Sequence, residues 1–224
     1  MTNKIKYGVI GTGVMGKEHI ENINIIENAE VVAICDTNEN SRYQTKSLVK
    51  NSTKFYNDLN ELISNNIADA YIIATPNFTH INILEQILKT NKHLLIEKPL
   101  CTTTEDCKKF ELMSKNYSKI IWTGMEYRYM PPVKQLIKEV HNNVIGKIKM
   151  LSIREHRFPF LHKVDDWNRF AVNTGGTLVE KCCHFFDLMR LVIQSEPTKV
   201  YASGNQDVNH LEEKYDGKTP DIID

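Results

Sequence analysis

The chain has 224 residues, a length that allows one large domain or two modest ones. Its 28 Lys and Arg balance its 28 Asp and Glu, and 41% hydrophobic with 25% charged residues is ordinary for a globular protein. Zero formal net charge argues against a nucleic-acid partner, and no apolar run reaches the roughly 18–20 residues of a membrane span. The opening MTNKIKYGVIG runs straight into a strand-like segment without the apolar core of a signal peptide, so a cytoplasmic protein is expected. Cys35, Cys101, Cys107, Cys182 and Cys183 are odd in number and irregularly spaced, with no pair of C-x-x-C units. They read as reduced, mostly buried thiols, and no metal site is expected.

Taken in order, the elements alternate. Ile5–Ile10 is a short apolar run bounded by glycine, hence a buried strand, and a helical pattern follows from Val14 to about Glu27. Val31–Cys35 is a second strand and 40–50 a polar helix. Lys54–Tyr56 is a weak strand, and Tyr71–Ala74, His93–Ile96 and Lys119–Thr123 are stronger ones. Helices are expected over Ile81–Leu88 and Thr103–Lys115, the latter with Glu105 and Asp106 in its first turn, where acids suit the helix dipole. This alternation predicts an α/β protein with a doubly wound parallel sheet over residues 1–124.

The pattern changes near Gly124. Pro131 and Pro132 open a helix to about His141, because a residue without an N–H fits the first turn. Strands are expected over Lys147–Arg157 and Lys199–Asp207, a Trp167-bearing loop over 165–173, and one helix from Thr177 to Ile193. Residues 125–224 thus read as a second, incomplete α/β domain with an open sheet of two strands. An open sheet leaves backbone groups unpaired at its edges.

The first chemical motif is GTGVMG. Gly11, Gly13 and Gly16 satisfy G-x-G-x-x-G between a predicted strand and a predicted helix, the context that gives the motif meaning. Gly11 permits the tight turn, Gly13 leaves room for a pyrophosphate, and Gly16 lets helix and strand pack closely. The backbone of Val14 and Met15 completes the anion-binding helix start. A glycine-rich turn without a ligand is the plain alternative. Asp36 lies 20 residues after Gly16 at a strand end, where a carboxylate accepts from ribose hydroxyls and repels a 2′-phosphate. That favours NAD over NADP, although nearby Arg42 keeps NADP open; a helix-capping acid is the alternative.

Two further segments follow strands. TPNFTH places Thr75, Pro76, Asn77 and His80, and EKP places Glu97, Lys98 and Pro99, at carboxyl ends of strands, where doubly wound sheets bind ligands. All six residues before Pro99 are candidates for lining the cofactor. A lysine beside a cationic nicotinamide is under pressure to release its proton, which makes Lys98 a candidate acid or base. An exposed surface lysine is the alternative.

With GTGVMG, Asp36, TPNFTH and EKP at these spacings, the chain resembles the glucose–fructose oxidoreductase / inositol dehydrogenase (Gfo/Idh/MocA) family. GGTLVEKCCHFFDLM resembles the family's later helix start, with Gly175, Gly176, Glu180, His184 and Asp187 in the matching places, and Glu126-Tyr127-Arg128 resembles its crossover segment. The resemblance implies an N-terminal Rossmann domain and a C-terminal α/β domain whose sheet carries substrate on one face and oligomer contacts on the other. It implies hydride transfer between NAD(P) and a sugar, cyclitol or related carbinol. By the same carry-over Lys98 and His184 form the acid/base pair. Glu180, where many members have aspartate, orients His184, and positions 180 and 184 share a helix face at i, i+4. The Lys98–Pro99 peptide is expected to be cis. Family members are longer, so the resemblance also implies a chain cut within its second domain.

Arg128, Arg154, Arg157, Trp167 and Arg169 flank these segments and are candidates for the substrate pocket, each arginine with a surface ion pair as its alternative. Three readings of function stay open: an NAD(P)-dependent dehydrogenase, a dinucleotide-binding regulator without turnover, and an inactive truncated homologue. The retention of Lys98 and His184 favours the first.

Overall fold

Six short apolar runs pair into one parallel sheet in the computed structural model, which describes residues 4–156 and 158–224. The strands are β1 (Ile5–Ile10), β2 (Ala29–Cys35), β3 (Lys54–Tyr56), β4 (Ala70–Ile73), β5 (His93–Ile96) and β6 (Ile121–Thr123), in the order β3-β2-β1-β4-β5-β6. Between them lie helices α1 (Val14–Asn24), α2 (Glu39–Thr45), α3 (Leu59–Asn65), α4 (His80–Ile87) and α5 (Thr104–Ser114). The sheet is buried on both faces because alternate strand residues enter opposite cores. Val9, Ile34 and Ile72 pack with Ile20 and Ile23 of α1 on one side; Ile10, Cys35 and Ile73 pack with Leu84 and Ile87 of α4 on the other. The strand order reverses between β1 and β4, which opens a crevice at their carboxyl ends.

Past β6 come α6 (Pro131–His141), a 3-10 turn over Val164–Arg169, and helices α7 (Ala171–Thr174), α8 (Thr177–Glu180) and α9 (Cys183–Ile193). These pack near the crevice and leave little core: among the described residues only Leu188, Val192, Pro220 and Ile222 are buried apolar side chains in this half.

Four expectations need correction. Helix α1 stops at Asn24 rather than Glu27, because the chain must turn to start β2 at Ala29; Ile26 is therefore exposed. The sequence reading places no helix between Tyr56 and Tyr71, yet α3 forms there, capped by Asp58, whose side chain accepts from the Glu61 N–H at 3.0 Å. The single helix from Thr177 to Ile193 is two: at Lys181 (φ −112°) the ladder slips, and the N–H groups of Lys181 and Cys182 both reach the Thr177 carbonyl. The strands over Lys147–Arg157 and Lys199–Asp207 do not form among the described residues. Neither segment pairs with another strand among the described residues; the Asn205 carbonyl accepts from the Asp224 N–H at 3.0 Å, and Met150 and Tyr201 are 86% and 90% exposed. The open sheet, and the oligomer face expected on it, thus have no counterpart among the described residues.

Candidate active site

The crevice begins at the glycine loop. Gly11 has φ +86°, and a Cβ there would lie 2.6 Å from the Ala74 carbonyl, so only glycine turns the chain out of β1 beside β4. A Cβ on Gly16 would lie 2.0 Å from the Gly11 carbonyl oxygen, whereas one on Gly13 would meet nothing within 4 Å. Gly13 therefore keeps open space in front of α1, and that helix start carries no side-chain cap. Free N–H groups, a positive dipole end and an unfilled cradle are what a pyrophosphate requires. Val14 is exposed and Met15 half-buried at this start.

Asp36 ends β2 beside the same loop. Its Oδ2 accepts from the Thr12 N–H at 2.7 Å and the Thr12 hydroxyl at 2.9 Å, and its Oδ1 accepts from the Asn38 N–H at 2.8 Å. A carboxylate offers about four acceptor positions, so one stays open for a ribose hydroxyl and rotation of the Thr12 hydroxyl frees another. Arg42 donates to the Asp36 carbonyl, not to its carboxylate, so the negative charge facing the crevice is not neutralised by it. The residues present fit an adenine dinucleotide without a 2′-phosphate.

Opposite the loop, β5 delivers Glu97 and Lys98, and the Lys98–Pro99 peptide is cis. Glu97 is buried; its Oε1 meets His19 Nε2 of α1 at 2.7 Å and its Oε2 accepts from the Lys98 N–H at 3.2 Å. Burial alone would raise this carboxyl, but the His19 contact and the Lys98 charge outweigh it and hold it below the ordinary glutamate value. The Lys98 ammonium donates to the Glu180 carbonyl at 3.3 Å and lies 3.9 Å from Glu180 Oε1.

Thr75 and Pro76 remain half-buried at the crevice. Asn77 is buried, and its amide donates to the Glu180 carboxylate and to the Thr174 carbonyl, 3.4 Å away. His80 is completely buried, with Nδ1 3.0 Å from the Pro99 carbonyl and Nε2 3.1 Å from that of Thr75. Burial pushes its pKa down. Both residues were expected at the cofactor; their polar atoms are instead spent on bracing TPNFTH against EKP and α8.

The acid/base cluster also departs from the expected wiring. Glu180 does not hold His184. Its carboxylate takes Asn77 and the Lys181 ammonium at 3.2 Å, because the slip at Lys181 rotates α9 relative to α8. His184 instead lies with Nε2 3.4 Å from Glu126 Oε1 and its ring stacked on Tyr127, centroids 4.1 Å apart and planes within 8°. Burial, with the Lys98 charge adding to it, lowers its pKa to about 4, so the ring is neutral at pH 7.

Of the flanking candidates, Arg128 forms a two-pronged pair with Asp187, and Arg169, 1% exposed, bonds Glu213 at 2.7 Å and the Leu161 carbonyl. Both guanidinium groups hold the second half together; Arg169 is buried, whereas the Arg128 side chain is 40% exposed with its Nη1 outside the pair. Trp167 packs edge-on against Phe78, Arg154 is exposed, and Arg157 lies outside the described residues. Lys163 belongs to the cluster although nothing in its local sequence marks it: burial pushes its amine's pKa down, and Glu180, Lys98 and Glu97 are the charges that act on it.

Sequence comparison decides the family. The Gfo/Idh/MocA model described as an oxidoreductase family with an NAD-binding Rossmann fold matches residues 5–125, and that family's C-terminal α/β domain model matches residues 137–221. The chain belongs to the Gfo/Idh/MocA oxidoreductase family. Among Gfo/Idh/MocA relatives, myo-inositol 2-dehydrogenase of Thermotoga maritima is 30% identical over 201 residues, covering 90% of this chain and 58% of that one. Glucose-6-phosphate 3-dehydrogenase of Bacillus subtilis is 30% identical over 220 residues, covering 93% and 60%. A probable dehydrogenase from Thermotoga maritima superposes with a TM-score of 0.77 at 30% identity, covering 91% and 60%. The chain therefore spans about 60% of the length of the curated relatives it matches. Among the described residues no helix is long and apolar enough to cross a membrane.

Proposed function

We propose that the protein is an NAD-dependent oxidoreductase that oxidises a secondary alcohol of a cyclitol or sugar. The observation that carries this reading is the meeting of two sites in one crevice. An uncapped helix start with an open Gly13 cradle and Asp36 lies on one side, and the Lys98–Glu180–His184 cluster on the other. The names of relatives, inositol and hexose-phosphate dehydrogenases, support the substrate class. We read residues 1–124 as the dinucleotide-binding domain and 125–224 as the part that closes the crevice, a division supported by the matched stretches. No disulfide joins Cys35, Cys101, Cys107, Cys182 or Cys183, which supports a cytoplasmic location.

In this reading Gly11, Gly13, Val14, Met15 and Gly16 seat the pyrophosphate and Asp36 the adenosine ribose; Thr75, Pro76 and Glu97 line the nicotinamide half. Bound NAD supplies the hydride acceptor. Lys98 orients the substrate hydroxyl and stabilises its oxygen as the proton leaves, and the neutral His184 ring takes that proton. Glu180 fixes Lys98 from the far side, and Asn77 and Lys181 hold Glu180 in place. Glu97 and His19 fix the backbone from which Lys98 projects.

Purified protein screened with NAD against a panel of cyclitols and sugars, followed at the nicotinamide absorbance, tests the proposal. Reduction of NAD with at least one polyol is expected. NAD binding without reduction across the panel would favour the non-catalytic regulator instead.

A further inference from the structure

His184 is the one buried group of the cluster whose two ring nitrogens have different surroundings. Its Nε2 faces Glu126, 3.4 Å away, while its Nδ1 is buried with no hydrogen-bond partner. The His184 side chain is 4% exposed and that of Glu126 is 52% exposed. Stacking on Tyr127, the residue after Glu126, stops the ring from turning over. An orphaned buried nitrogen costs stability unless a ligand completes it.

We propose that Glu126 is a positioning residue for His184, holding the ring as the Nε2–H tautomer so that the Nδ1 lone pair faces the substrate hydroxyl. The assignment rests on the oxidoreductase reading above. An ionised carboxylate only accepts, so the proton of the neutral ring resides on the nitrogen that faces it. During oxidation the substrate O–H bond breaks and its proton moves to Nδ1. The carbinol C–H bond breaks with its electron pair leaving to the nicotinamide dinucleotide, and a C=O bond forms. His184 becomes an imidazolium whose Nε2–H is held by the Glu126 carboxylate; Nδ1 returns its proton to water when product leaves. Glu126 therefore does for His184 what the spacing had suggested for Glu180. Because it lies 58 residues away in sequence and belongs to the 3-10 turn over Glu126–Tyr129, no helical periodicity reveals it.

The test is the ring-nitrogen NMR of His184 in labelled protein, compared among wild type, Glu126→Gln and Glu126→Leu. At pH 7 the wild type is expected as Nε2–H. Glu126→Gln should keep that tautomer through its amide oxygen, and the low-pH protonation of His184 should move little, because burial raises the Glu126 carboxyl above its ordinary 4.5 so that it takes up its own proton where His184, at about 4, titrates. Lys98 and Lys181, which oppose protonation, and Glu97 and Asp187, which favour it, stay in place in every variant. Glu126→Leu should show mixed tautomers and a kcat reduced by roughly 10- to 100-fold, the low end for orienting partners of functional imidazoles because the contact is long and half-exposed. An Nδ1–H ring in the wild type, or an unchanged tautomer and kcat in Glu126→Leu, would overturn the assignment. The tautomer readout needs neither cofactor nor turnover, so it judges Glu126 by itself, while NAD reduction by the wild type across the cyclitol and sugar panel judges the oxidoreductase reading.

Discussion

At the scale of single residues, the crevice assigns different duties to groups of the same type. Two glycines three residues apart make this testable. Gly13→Val should leave folding nearly intact, since open space surrounds the new side chain, yet weaken NAD binding at least tenfold by filling the pyrophosphate cradle. Gly16→Ala should lower stability by about 1–3 kcal/mol, because its Cβ must displace the Gly11 carbonyl. Calorimetric titration and urea unfolding of both variants check the pair. Asp36→Ala should narrow the preference for NAD over NADP, read by the same titration with both dinucleotides; a wild type that binds NADP more tightly would contradict the role of Asp36. Lys98→Ala should reduce kcat by roughly 100- to 10,000-fold with NAD affinity retained. The glycine loop, Asp36, Lys98 and His184 were legible in the sequence because each is marked by close neighbours or by its distance from a strand. The bond between Asn77 and Glu180 spans 103 residues, and no local pattern reports it.

At the scale of elements, two contacts couple the crevice to stability. His19 on α1 and Glu97 after β5 tie the helix that seats the cofactor to the strand that carries Lys98. Glu97 has a lowered folded pKa, so its contribution is present above its ordinary value of 4.5 and is lost as pH falls below it. His184 on α9 adds to the same limb. Its folded pKa of about 4 lies below the ordinary 6.5, so the unfolded chain binds the extra proton. Stability therefore falls between pH 6.5 and 4, by on the order of 3 kcal/mol for that group. In His184→Gln the loss over that interval should shrink markedly, and in His19→Ala the protein should be destabilised at pH 7; urea unfolding across pH measures both. Equal pH slopes in wild type and His184→Gln would contradict the account. Of the elements, the parallel sheet was readable from short apolar runs separated by helical periods. The break at Lys181 was not, because Cys182 and Cys183 continue the apolar pattern through it. The strands expected over 147–157 and 199–207 fail for the opposite reason: Ile148 and Ile153 in one and Val200 and Tyr201 in the other suit a strand, but a strand needs a partner that composition cannot supply.

At the scale of the whole molecule, core and crevice are unequally supported. Nearly all buried apolar side chains belong to the six-stranded half, while 147–156 and 199–207 run without ladder bonds. Amide exchange should be slow in β1, β4 and β5 and fast in those two segments, and NAD should protect mainly the first half. Uniformly slow exchange would mean that the second half closes a core of its own. The contacts that join the halves include the reach of Asn77 and Lys98 across to Glu180 and the edge-on packing of Trp167 against Phe78. The function proposed depends on those few contacts bringing the acid/base cluster to the dinucleotide crevice. Deuterium transfer from carbinol-labelled inositols and sugars to NAD, read by mass spectrometry of the nicotinamide product, tests that most directly. The account predicts label in the product with the wild type and a transfer rate lower by roughly 100- to 10,000-fold with Lys98→Ala; equal rates in the two proteins, or no label with a wild type saturated with NAD, would contradict it.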